Sequence, residues 1–319
     1  MSIKTRTRGA LAGAAGVALL AGGLLAGGPA LAAPESENAN PAADCAGRSI
    51  PASKVSFQMF SQLGWQFAEG DVEPVLAALS EAGYKNIEGF GNPGSFFSTY
   101  GDRTADEFRA LLKEYGLKMP SAHGNTNEAT FDETLEWAKA VGQKYTGSGG
   151  FPAPGINSGY ENVLLTAEAM NRLGERSVKA GVGKFFGHNH QSEFTTTYTV
   201  PETGEVKSAW EILVENTDPR WVTFQVDVFW ASDAGEGVDV PALLEKYGDR
   251  IELLHIKDGD LNGEGRGVPG NVGQGDIHWE PILEEALGHV NLYVIERDGA
   301  PNDATFLTES FDYLTCLEY

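Results

Sequence analysis

Apolar and β-branched runs recur along the chain, and after nearly every one the hydrophobic period changes from continuous to helical. The runs are KVSFQMF, YKNIEGFG, LKMPSAHG, QKYTGSGG, KFFGHNH, WVTFQVDVFW, RIELLHIKDG and NLYVIERDG. Between them lie segments whose apolar residues return every three or four positions. In DVEPVLAALSEAG, Val72, Val75, Leu76 and Leu79 share one helical face. In DRTADEFRALLKEYG the buried stripe is Phe108, Leu111 and Leu112, with Thr104 placed to cap the first turn. TFDETLEWAKAVG, YENVLLTAEAMNRLGERSVKAG, DVPALLEKYG, HWEPILEEALG and ATFLTESFDYLTCL read as further helices. Strand–helix alternation predicts parallel strands joined by crossover helices. Eight such units predict an α/β fold, a closed (β/α)8 TIM barrel forming a single domain over residues 54–319. The rival is an open doubly wound sheet, but no run ends in a Gly-x-Gly-x-x-Gly turn. The glycine-dense NGEGRGVPGNVGQG leads into no phosphate-cradling helix and is expected to be a long mobile βα loop.

The first residues fit none of this. Residues 1–32 have a basic start (Lys4, Arg6, Arg8), an Ala/Gly/Leu middle and a small-residue exit at Ala30-Leu31-Ala32. This is the pattern of a secretory signal peptide, so the protein is expected to be secreted and to keep no membrane insertion after cleavage. Residues 33–53 are polar and expected to form a flexible arm. The net charge of −22 repels phosphate backbones and argues against a nucleic-acid partner. Two cysteines, Cys45 and Cys316, flank the domain, and in an exported protein such a pair invites a disulfide; two free thiols are the alternative.

Charge also gathers where a barrel performs chemistry, at the C-terminal ends of its strands. The run ends carry His123, His188, His190, Asp227, His255 and Glu296. His188 and His190, two residues apart, would look into one space if the strand continued through both. Burying such groups unpaired costs several kcal/mol each, whereas one divalent cation would satisfy them together. Carboxylate and imidazole donors suit Mn²⁺, Zn²⁺, Co²⁺ or Mg²⁺. Taken singly, Asp227 reads as a turn cap, His255 as a core histidine and Glu296 as half of an ion pair; convergence on one rim favours the metal. Trp65, Phe90, Phe229 and Trp230 lie near the same rim and suit the apolar face of a sugar ring. His123, Trp230 and Glu88 are assigned to substrate binding, and His278 and His289 to the surface.

The stretches HNHQSEF, VDVFWASDAG, LLHIKDGD, GQGDIHW and YVIERDG, in this order, resemble the sugar isomerase/epimerase family with the xylose isomerase-like TIM barrel. The resemblance implies one divalent metal, most often Mn²⁺, held by Glu, Asp, His and Glu from strands five to eight. Asp227, His255 and Glu296 match the last three of these. The fifth strand departs from the pattern by ending His-Asn-His, so Glu193 is expected as the remaining ligand, with His188 itself as the alternative. His188 or His190 would then act as base, with Glu296 and Lys257 also in catalytic roles. An ion pair with Asp258 is the structural alternative for Lys257. The implied reaction removes a proton next to a sugar carbonyl, giving an epimer or isomer, or, by β-elimination from a 3-keto-glycoside, a cleaved bond. A non-catalytic sugar-binding barrel is a further reading. So is a DNA-cleaving barrel with a multi-zinc cluster, for which ligands and basic groove are lacking. Export and the absence of an Arg/Lys cluster at the strand ends point to a small carbohydrate that is not phosphorylated.

Overall fold

The computed structural model describes residues 49–262 and 266–319. The elements in chain order are β1 (Val55–Gln58), α1 (Leu63–Glu69), α2 (Glu73–Ala82), β2 (Asn86–Phe90), α3 (Ala105–Glu114), β3 (Lys118–His123), α4 (Phe131–Val141) and β4 (Tyr145–Gly147). They continue with α5 (Tyr160–Ala180), β5 (Lys184–His188), α6 (Ser192–Thr195), β6 (Thr197–Thr199), β7 (Val206–Ser208), α7 (Ala209–Asn216), β8 (Val222–Asp227) and α8 (Val228–Ser232). The last are α9 (Val240–Tyr247), β9 (Ile251–Ile256), β10 (Asp258–Asp260), β11 (Val268–Gly270), α10 (Trp279–Ala286), β12 (Leu292–Ile295) and α11 (Thr305–Cys316).

Strands β1, β2, β3, β4, β5, β8, β9 and β12 close into one parallel barrel, the predicted TIM barrel. Two antiparallel hairpins, β6–β7 and β10–β11, are inserted after β5 and β9. The second insertion corrects the expectation of a mobile loop for residues 266–275; residues 263–265 of that stretch lie outside the described residues. Gly259 pairs with Pro269, and the Asp258 carboxylate accepts the N–H groups of Gly259, Gly273 and Ile277 and the Trp279 indole N–H. A fully buried carboxylate with four such donors pins the segment from both sides.

Strand alternation sorts the side chains. Residues facing the helices build the main core, which includes Phe57, Phe185, Phe224, Val226 and Ile295 against Trp210, Leu283 and Phe306. Burying each such side chain contributes about 1.5–3 kcal/mol. Inside the barrel a smaller apolar layer of Phe186, Leu253, Leu292 and Val294 fills the floor. Thr104 caps α3 as expected, in a reciprocal capping box with Glu107. Ile50 is buried in the main core, so the chain joins the barrel before residue 54, inside the stretch expected to be a flexible arm. The signal-peptide residues and Cys45 lie outside the described residues.

Candidate active site

Above the apolar floor, the inward positions turn polar toward the C-terminal ends of the strands, and register decides who meets whom. Gln58 of β1 lies beside Glu88 of β2, and Glu88 beside Ser121 of β3. His188 of β5 lies beside Gln225 of β8, and Asp227 of β8 beside His255 of β9. Residues in register on parallel strands point to the same side, so these pairs share the barrel interior.

Glu88 is the hub. Its Oε1 accepts from Gln58 Nε2 (2.7 Å) and His255 Nε2 (2.8 Å), with His123 Nε2 at 3.2 Å. Its Oε2 accepts from Ser121 Oγ (2.7 Å) and Gln225 Nε2 (2.8 Å). Burial would raise its pKa, but the charges and hydrogen bonds of His123 and His255 outweigh burial and hold it below the ordinary carboxylate value. Glu88 is fully buried and does not line the cavity, which corrects its assignment to substrate binding.

Asp227, His255 and Glu296 meet next to this hub. Each offers a donor atom, and the three atoms lie within 4.8 Å of one another. His255 Nδ1 donates to Glu296 Oε2 at 2.7 Å and stands 3.8 Å from Asp227 Oδ2. Asp227 uses Oδ1 to cap the Trp230 N–H, while its buried Oδ2 faces the Lys257 ammonium at 3.3 Å. Lys257, 1% exposed, places Nζ 3.0 Å from Glu296, 3.3 Å from Asp227 and 2.8 Å from Asp298. Its partners are therefore these three and not Asp258. Burial lowers the Lys257 pKa, yet Asp227 and Glu296 raise it further, and the ammonium stays charged. Two buried carboxylates, Asp227 and Glu296, thus face one permanent cation, Lys257. The close grouping of these three donor atoms and their mixed carboxylate and imidazole chemistry fit a divalent ion at Asp227, His255 and Glu296.

His188 supplies the side of the site where a glutamate was expected. Its ring lies 4.6 Å, centroid to centroid, from that of His255. Burial first, and the neighbouring His255 next, push its pKa well below the ordinary histidine value, so it is neutral. Glu193 is not brought into the ligand group. Its Oε2 accepts the His190 N–H at 2.7 Å and its Oε1 the Ser192 hydroxyl at 3.0 Å, at the start of α6. β5 ends at His188 and not at His190 because Asn189 turns its carboxamide onto β8, donating to Asp227 O and accepting Asp227 N–H. His190 is exposed, yet its ring is 5.0 Å from that of His188 and both line one cavity of about 440 Å³. The cavity walls also include Phe60, Phe90, His123, Glu296, Asp298 and the backbone of Gly91, Gly124 and Gly149, but no lysine or arginine among the described residues. Phe60 and Phe90 form its aromatic side, 4.8 Å apart. Trp230 does not line it; the indole sits 5.4 Å from the Lys257 ammonium. Gln58, Ser121, Asn189 and Gln225 escaped the sequence reading. Gln225, two residues before Asp227 on one strand, carried a usable signal, since both must face inward.

A family model described as a xylose isomerase-like TIM barrel matches residues 76–289. The chain belongs to the xylose isomerase-like TIM barrel family. Inosose dehydratase of Salmonella typhimurium is 31% identical over 141 residues, 39% of this chain and 42% of the relative, so less than half of the relative's length is matched. A sugar phosphate isomerase/epimerase from Parabacteroides distasonis superposes with a TM-score of 0.66 at 25% identity, covering 86% of this chain and 98% of that one. The IOLI protein, solved with a bound zinc atom, shares the fold at a TM-score of 0.57 and 17% identity, covering 81% and 94%.

Proposed function

We propose that this protein is a divalent-metal-dependent enzyme that abstracts a proton next to the carbonyl of a non-phosphorylated sugar, as an isomerase or epimerase. The carrying observation is the meeting of Asp227, His255 and Glu296 beside a cavity, their donor atoms within 4.8 Å of one another. Asp227, His255 and Glu296 would hold the ion, most readily Mn²⁺, which supplies Lewis acidity toward a carbonyl oxygen when bound. His188, neutral and adjacent, takes the proton from the substrate carbon and returns it to the same or the neighbouring carbon. Exposed His190, beside it, exchanges that proton with solvent. Lys257 balances the carboxylates and keeps Glu296 deprotonated. Phe60 and Phe90 offer an apolar wall for a sugar ring, and among the described residues no lysine or arginine lines the cavity to meet a phosphate. Secretion by the N-terminal segment belongs to the same reading, because extracellular sugars are mostly unphosphorylated.

A second reading, β-elimination of water or a glycosidic oxygen after the same proton removal, is supported by the similarity to inosose dehydratase. One experiment separates the two. Protein loaded with Mn²⁺ is incubated in D₂O with free ketoses and 3-keto-glycosides. Deuterium uptake without bond cleavage supports isomerase or epimerase chemistry, whereas release of water or aglycone supports the lyase. Activity that survives both chelation and Asp227→Ala overturns the metal-dependent reading. Saccharide binding with neither exchange nor cleavage would leave a non-catalytic binding barrel.

A further inference from the structure

We propose that Glu88 and Gln225 form a buried relay that sets the tautomer of His188, keeping its proton on Nδ1 and leaving Nε2 as the lone-pair nitrogen at the cavity. Both are positioning residues; neither lines the cavity. The relay starts from an obligate acceptor. Glu88 Oε1 is occupied by N–H groups of Gln58 and His255, and its Oε2 by the Ser121 hydroxyl and the Gln225 amide N–H. The Gln225 carboxamide therefore cannot be reversed without setting its oxygen against a carboxylate. With its NH₂ turned to Glu88, its Oε1 must face the histidines. His188 Nδ1 lies 3.0 Å and His123 Nε2 2.7 Å from that oxygen, and His123 Nε2 also stands 3.2 Å from Glu88. A nitrogen that meets only acceptors carries the proton, and a neutral imidazole has one to carry. His188 therefore keeps Nε2 free, and no hydrogen bond reaches that atom among the described residues. Gln225 and Glu88 are 0% exposed, so water does not compete for these contacts.

The consequence for proton abstraction rests on the function proposed above, but the tautomer does not, and it is measured without substrate or metal. Full-length protein labelled with ¹⁵N at the histidine rings is examined in EDTA, near neutral pH, by long-range ¹H–¹⁵N correlation. The expected spectrum has the His188 proton on Nδ1 and an unprotonated Nε2. Glu88→Gln replaces one acceptor oxygen by NH₂. That NH₂ is best placed at the former Oε2, because the Ser121 hydroxyl can turn to accept and the Gln225 amide can flip. Gln225 then presents NH₂ to His188 Nδ1, and the proton moves to Nε2. Ser121→Ala, which leaves the Glu88–Gln225 bond in place, is expected to keep the wild-type tautomer. A wild-type His188 protonated on Nε2 or on both nitrogens overturns the proposal, as does a folded Glu88→Gln protein with an unchanged His188 tautomer. Should Glu88→Gln fail to fold, Gln225→Met, which removes the acceptor, decides: an unaltered preference for Nδ1–H refutes the relay, and its loss supports it.

Discussion

Lys257 holds its ammonium among Asp227, Glu296 and Asp298 with 1% of its surface exposed, so its removal isolates like charges in a dry setting. Lys257→Met is expected to destabilise the metal-free protein by about 3–5 kcal/mol in urea denaturation. Divalent cation should recover part of that loss, since it restores positive charge to the same carboxylates; no recovery would count against an ion site there. Asp227→Asn makes the complementary test. The Oδ1 cap on Trp230 survives, while the oxygen that faces Lys257 is replaced by an uncharged NH₂. Affinity for Mn²⁺, read by competition with a chelating indicator, is expected to fall by at least the ~10–100-fold typical of losing a mere outer-shell partner. The identity of Asp227, His255 and Glu296 as a group was legible from their positions at successive strand ends. Glu88 was not, because the side chains that define its role come from four other strands.

At the scale of elements, the β10–β11 hairpin depends on one carboxylate. Asp258→Ala leaves three backbone N–H groups and the Trp279 indole without an acceptor. It is expected to cost about 1–3 kcal/mol for each donor that water cannot reach, and to open the segment to proteolysis well before global unfolding. Cleavage no faster than in wild type would refute the anchoring role. The entrance to β5 is equally constrained. Gly183 has φ +140°, and a Cβ there would lie 1.8 Å from Lys144 O, so Gly183→Ala must displace backbone. A loss of about 1–3 kcal/mol in chemical denaturation is expected. The eight barrel strands were legible because strands buried on both faces read as short continuous apolar runs. Helix α7 and the two hairpins were not. Tyr198 and Val206 alternate with polar residues over stretches too short for periodicity to register, and the pairing partners lie across a turn or a glycine-rich segment.

For the whole molecule, pairing of Cys45 with Cys316 is the remaining expectation, and it has a thermodynamic signature. Reduction should lower stability by at least about 4–5 kcal/mol, because the bridge would close nearly the entire domain into one loop; an unchanged denaturation midpoint would refute it. Secretion makes a separate prediction, that mass spectrometry of the exported protein finds the chain starting near Ala33. Sequence by itself determined the architecture, because the number and order of apolar runs and helical stripes leave few ways to cover both faces of every strand. It also determined which residues end the strands, and hence the chemical types available at the rim. Only the tertiary structure decided how those residues divide their labour. Barrel closure brings β1, β3, β8 and β9 side chains to Glu88 of β2, swings Glu193 away to the start of α6, and puts Lys257 among carboxylates instead of beside its sequence neighbour. A hydrogen-bond partner is chosen by distance and direction in space, and in a closed barrel those depend on strand register and stagger across the ring, which no local stretch of chain encodes.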